Sequence, residues 1–244
     1  MDRSRLEAAS ETLLDAGRRL GARGLIAAGE GNLSIRLDAD QLLVTPTGRR
    51  KDELVADDLV VVWLRHPERD VRSPSGRPPT SDLAIHLATY DARPDIGAFV
   101  HAHLPAAMAR TLGGELPDPA VLPETVILLP RLPLVAFGVP DSTELADRVA
   151  TALTEGHEPL AMAVLLERHG AIAVGESPAQ AVDSLELVEV LCRTWRDALL
   201  IRAARAAVGI VSLPNQGSRD QHRTGDAAGD MTRERDPENA RGDA

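Results

Sequence analysis

The chain has 244 residues, 43 % of them apolar with only two Trp, one Tyr and two Phe, so it can bury a sizeable core made of Leu, Val, Ala and Ile. A net charge of −10 argues against a general nucleic-acid binder, and a single cysteine, Cys192, excludes an internal disulfide framework and fits a reducing cytoplasm. No run approaches the roughly 18 apolar residues of a membrane helix, and the opening "MDRSRLEAASETLL" lacks the apolar stretch of a secretory signal.

In chain order, Arg3 to Arg23 carries apolar residues at helical spacing opposite a charged face. "GLIAAGEGNLSIRL" leads through glycines into an alternating strand, "DAD" (38–40) turns, and "QLLVTP" returns as the second arm of a hairpin. "DLVVVWL" reads as a further strand, before a Pro/Arg/Ser-rich loop. "TSDLAIHLATYDARP" opens with cap-type residues and is stopped by Pro94, so it predicts a helix. "DIGAFVHAH" predicts a strand, "LPAAMARTLGG" a short helix closed by glycine, and "STELADRVATALTEG" a capped helix after a proline-rich passage. "MAVLLERHGAIAVG" gives two strand segments around Arg168–Gly170, and the stretch from Ser177 to about Ala204 a long helix with Pro178 in its first turn. Residues 1–213 read as one domain, and 214–244 as a polar, disordered tail. Hairpin-like pairs mixed with helices predict a mixed or largely antiparallel sheet covered by helices.

Three sets of residues point to chemistry. His101 and His103 stand at i and i+2 of a strand, where side chains share a face; they are either satisfied by backbone carbonyls or two ligands of a metal. A catalytic zinc takes three protein ligands and keeps a position open, and His169, beside Gly170, is a third candidate. His66, His157 and His222 lie in polar surroundings, while His86, four residues after Asp82 on one helical face, is in an arrangement that can bind metal but more often packs or hydrogen-bonds. Asp82 either complements the dipole of a helix start or serves as a carboxylate that ligates metal or moves a proton. The clusters "EGNLS", "TPTG" and "PTSD" offer backbone N–H groups and hydroxyls of the kind that hold a phosphate.

"GEGNLSIRL", "VTPTG", "PTSDLAIHLATYDARPDIGAFVHAH" and "ERHGAIAVG", in that order, resemble the class II aldolase/adducin family over about Leu6 to Arg205, with fuculose-phosphate aldolases the nearest branch. The resemblance implies an α/β fold, a three-layer α/β/α arrangement with a central, mostly antiparallel sheet, usually assembled as a homotetramer with sites near subunit interfaces. It implies that His101, His103 and His169 bind Zn2+ or another divalent metal. Gly31, Asn32, Thr47, Gly48, Thr80 and Ser81 would cradle the phosphate of a small sugar, and Asp82 would be catalytic. The implied reaction is cleavage of a phosphorylated ketose to dihydroxyacetone phosphate and an aldehyde through a metal-stabilised enediolate.

Elementary chemistry favours the metal route. Cleaving a bond beside a carbonyl leaves a carbanion, held either by a lysine Schiff base or by a Lewis acid. The only lysine, Lys51, sits in the polar stretch "GRRKDE", where nothing apolar is expected to lower its pKa. The chain departs from the aldolase pattern at two points. Asp82 stands where the aldolases carry glutamate, about 1.5 Å longer in reach, and the epimerase branch, acting on pentulose 5-phosphates, carries aspartate there. The usual catalytic tyrosine has no counterpart in "LPETVILLPRLPLVAFG"; the only tyrosine, Tyr90, reads as a core or interface residue, so either another group such as Glu124 donates the proton or the substrate differs. A non-catalytic, adducin-like binding domain is the third reading, and it predicts lost metal ligands.

Overall fold

Strict alternation of apolar side chains builds the sheet from both sides. The computed structural model describes residues 3–66, 73–156 and 158–209; His157, His222 and the polar tail from 214 lie outside the described residues. Seven strands, β1 (Asn32–Arg36), β2 (Gln41–Val44), β3 (Val60–Trp63), β4 (Ala98–Ala102), β5 (Leu134–Val135), β6 (Ala163–Leu166) and β7 (Gly170–Gly175), form one sheet in the order β3-β2-β1-β4-β7-β6-β5. Every pairing is antiparallel except β5 with β6. In β6, Ala163 and Leu165 enter one core and Val164 and Leu166 the other; in β7, Ala171 and Ala173 oppose Ile172 and Val174. A sheet buried on both faces needs this near-continuous apolar run.

One core is closed by α1 (Arg3–Ala22), α3 (Pro105–Leu112) and α6 (Pro178–Ala207), the other by α2 (Leu83–Ala92) and α5 (Thr143–Thr154). Helix α1 buries Leu13, Ala16 and Leu20, a stripe at three- and four-residue spacing. Helix α5 starts where Ser142 Oγ accepts the Leu145 N–H at 3.2 Å. Helix α3 is held from α6: the buried Glu189 carboxylate accepts the N–H of Ala106 at 3.0 Å, an otherwise orphaned donor of the first turn. The expected three-layer α/β/α architecture is therefore present. Residues Met1–Leu200 form one compact unit; the described part of the second, Ile201–Ala244, is the end of α6 and two residues after it.

Two details differ from expectation. The proline-rich passage holds a short helix, α4 (Pro123–Leu128), and the two-residue β5. Proline at the first helical position starts α4, but six residues are too few to show a periodic stripe. His103 lies just past the end of β4 rather than within it.

Candidate active site

The site forms where β1, β4 and the β6–β7 turn meet. His101 pairs in register with Asn32 of β1 and Ile172 of β7, which places the end of β4 beside both neighbours. The turn joining β6 to β7 carries His169 between Arg168 (φ 62°) and Gly170 (φ 109°). A Cβ on Gly170 would lie 2.2 Å from Ala102 O, so only glycine lets the two backbones approach this closely. The rings of His101, His103 and His169 consequently gather with centroids 4.8–5.0 Å apart. One nitrogen from each lies within 4.8 Å of the others.

The protonation of His101 and His169 suits a metal. His101 Nδ1 lies 3.0 Å from Ala171 O and donates to it, which leaves Nε2 as the unprotonated nitrogen. That Nε2 is buried without a hydrogen-bond partner, an orphaned acceptor aimed at the histidine cluster. Burial, reinforced by the neighbouring His103 and His169, pushes the His101 pKa well below the ordinary value; burial and His103 also lower that of His169. Neutral imidazoles with a free lone pair fit a divalent cation. His103 Nδ1 stands 3.4 Å from Glu30 Oε1.

Asp82 precedes α2 but makes no side-chain cap hydrogen bond. Its carboxylate instead accepts from Asn32 Nδ2 at 2.6 Å. Asn32 Oδ1 accepts from His86 Nε2 at 2.8 Å, so His86 Nδ1 is the acceptor facing Ser34 Oγ at 2.7 Å, and Ser34 pairs with Tyr90 Oη at 3.1 Å. Complete burial pushes His86 down to about 3, keeping it neutral. A five-residue buried chain of hydrogen bonds thus fixes the Asp82 carboxylate from behind. His86 and Tyr90 are core residues of this chain and do not reach the cavity.

A cavity of about 200 Å3 opens in front. Gly31, Asn32, Thr47, Gly48, Thr80, Ser81, Asp82, His103 and His169 all line it, with His101 buried behind the other two histidines. The sequence-derived site residues are therefore brought together. Glu124 is exposed on α4 and is not among the lining residues.

Three lining residues escape sequence reasoning. Lys51 is the plain correction: far from being solvated, it is 2 % exposed, and burial brings its pKa down to about 8 against the attraction of Asp82. The polar letters around it hide the fact that the turn folds inward over α1, where Lys51 O would meet a Cβ on Gly17 at 2.3 Å. Its being the only lysine is the available signal. Glu30 sits within "GEGN", where it is indistinguishable from turn chemistry. Asp141 holds a left-handed backbone (φ 64°), a strained state for a non-glycine residue. Burial and a hydrogen bond shared with the Asp82 carboxyl raise its pKa. Nothing in "GVPDST" announces that contact.

The family described as Class II Aldolase and Adducin N-terminal domain matches residues 11–196, and the chain belongs to that family. It is 31 % identical over 194 residues to a methylthioribulose-1-phosphate dehydratase from Acidiphilium cryptum, covering 76 % of this chain and 89 % of the relative. It is 30 % identical over 186 residues to a 3-oxo-tetronate 4-phosphate decarboxylase from Haemophilus influenzae, covering 75 % and 84 %. Among solved structures, the L-fuculose-1-phosphate aldolase of Thermus thermophilus superposes with a TM-score of 0.67 at 30 % identity, covering 83 % of this chain and 98 % of that one. The family is one of enzymes, and these relatives are named as lyases of phosphorylated small molecules.

Proposed function

We propose that this chain is a zinc-dependent lyase, accepting related divalent ions, that cleaves a small fuculose-1-phosphate-like ketose to dihydroxyacetone phosphate and an aldehyde. The observation that carries the reading is the orphaned Nε2 of His101 facing His103 and His169, at a cavity shared with hydroxyl- and glycine-rich turns. A metal held by His101, His103 and His169 supplies Lewis-acid polarisation of the substrate carbonyl when bound. Gly31, Thr47, Gly48, Thr80 and Ser81 hold the phosphate through backbone N–H groups and hydroxyls, helped by the N-terminus of α2. Asn32 orients Asp82 through its amide. Asp82 takes the proton of the hydroxyl whose carbon leaves as the aldehyde, and Asp141, whose pKa burial and the Asp82 carboxyl raise, gives a proton to the enediolate carbon that becomes dihydroxyacetone phosphate, in place of the missing tyrosine.

A second reading, loss of water from the same class of substrate, is favoured by the likeness to the dehydratase and by the carboxylates of Glu30, Asp82 and Asp141 in one cavity. There, one carboxylate removes a C–H proton and a protonated one gives its proton to the departing hydroxyl. We further propose that the protein acts in the cytoplasm, on the ground of its single cysteine, and that it assembles as a homotetramer, supported by the exposed apolar residues Val126, Ile127 and Leu128 on α4.

The test is metal-loaded protein against a panel of ketose 1-phosphates, read by mass spectrometry. Dihydroxyacetone phosphate with an aldehyde supports the aldolase, and a product lighter by one water supports the dehydratase. Inversion at C4 of a pentulose 5-phosphate without cleavage identifies an epimerase. A protein that retains no stoichiometric metal, with His103→Ala leaving metal content unchanged, overturns the enzymatic reading in favour of a binding domain.

A further inference from the structure

Lys51 enters the site from beneath its turns. Nζ donates to Gly29 O at 2.6 Å and to Arg49 O at 2.7 Å, tying the turn before β1 to the turn after β2. An ammonium carries three donors, so one remains beyond those two carbonyls. The side chain lines the same cavity as Thr47, Gly48, Thr80 and Ser81. Among the described residues lining that cavity, Glu30, Asp82 and Asp141 are carboxylates and Lys51 is the only side chain of Lys or Arg type. A phosphate monoester brings about −1.5 to −2 charges at neutral pH. Entering beside Glu30 and Asp82, it meets repulsion that neutral hydroxyls and backbone N–H groups do not offset; a divalent ion on the three histidines would offset part of it, and the compact, desolvated ammonium is the positive charge the chain itself sets between the two turns.

We infer that Lys51 is the specificity-determining charge of this site: it clamps the Gly29 and Arg49 turns together and selects ligands bearing a phosphate over their unphosphorylated counterparts. The inference rests on the phosphorylated-substrate reading above and adds to it the group that makes phosphate obligatory. Burial works against the charged ammonium, and an incoming anion removes part of that penalty, so ligand and lysine stabilise each other. A purely structural lysine would hold the turns equally for phosphorylated and unphosphorylated ligands.

The experiment is calorimetric titration of the full, zinc-loaded chain with dihydroxyacetone phosphate, inorganic phosphate and dihydroxyacetone. Lys51→Met is expected to weaken both phosphate-bearing ligands about tenfold or more, the worth of one charge-assisted hydrogen bond. Dihydroxyacetone binding and metal content should stay at the wild-type level, and Lys51→Arg should restore most of the phosphate affinity. A folded Lys51→Met protein that binds both phosphate ligands as the wild type does overturns the inference. If circular dichroism shows Lys51→Met unfolded, Lys51→Gln, a neutral donor, takes its place: weakened phosphate binding supports the inference and unchanged binding overturns it. Failure of the wild type to bind either phosphate ligand would instead overturn the phosphorylated-substrate reading, and this inference with it.

Discussion

Asn32 has a side chain held from two directions. Its amide bonds Asp82 on one side and His86 on the other, both inside the protein. Replacing it with alanine strands a buried carboxylate and a buried imidazole N–H. Asn32→Ala should therefore lower the unfolding free energy by about 1–3 kcal/mol, measured by urea titration. Lys51 supplies a pH signature of its own. Its folded pKa, about 8, lies below the ordinary 10.5. Between those values the unfolded chain binds more protons than the folded one, so this residue's contribution to stability rises with pH across that window. Relative to Lys51→Met, the wild type should gain about 1–3 kcal/mol from pH 8 to pH 10.5; a flat difference would contradict the burial.

At the scale of elements, the β6–β7 turn decides whether the third histidine arrives. Gly170 needs both its left-handed φ and the absence of a side chain, since a Cβ would strike Ala102 O at 2.2 Å and His103 Cα at 2.9 Å. Gly48 shares the left-handed φ, +68°, but a methyl group there would have nothing within 4 Å. Gly48→Ala should cost about 1 kcal/mol of conformational strain alone, whereas Gly170→Ala should cost several-fold more and separate His169 from its partners. Thermal unfolding together with metal content checks both halves of that contrast. The elements themselves are largely legible in the sequence, because alternating and helical periods are local properties of the chain. The hairpins, the helix stopped by Pro94 and the Ser142 cap all lie where the pattern puts them. Helix α4 does not show, because one and a half turns carry too little periodicity to stand out.

For the whole molecule, the apolar residues left on α4 carry the clearest consequence. Ile127 is 75 % exposed and flanked by exposed Val126 and Leu128, a surface that water disfavours and a second copy would cover. On the proposed assembly, the wild type should sediment as a tetramer and Ile127→Asp as a smaller species at the same concentration.

By itself the sequence determined the two-sided sheet, the helices that cover it and a set of candidate histidines, hydroxyls and glycines, which the fold brings together at the ends of the central strands. The sheet and helices follow from periodicity and caps, which act over a few neighbouring positions, while the site set rests on residue chemistry together with the resemblance to the family. Only the tertiary structure decided the charge of the pocket. Lys51, Glu30 and Asp141 come from separate turns, and their roles depend on which carbonyl or carboxyl the fold sets beside each one. The same holds for Asp82, read from sequence as either a helix-end charge or a catalytic carboxylate. Its partner Asn32 is fifty residues away along the chain. Contacts of that range are made by folding, and the electrostatics of a buried group depend on them before they depend on its neighbours in sequence.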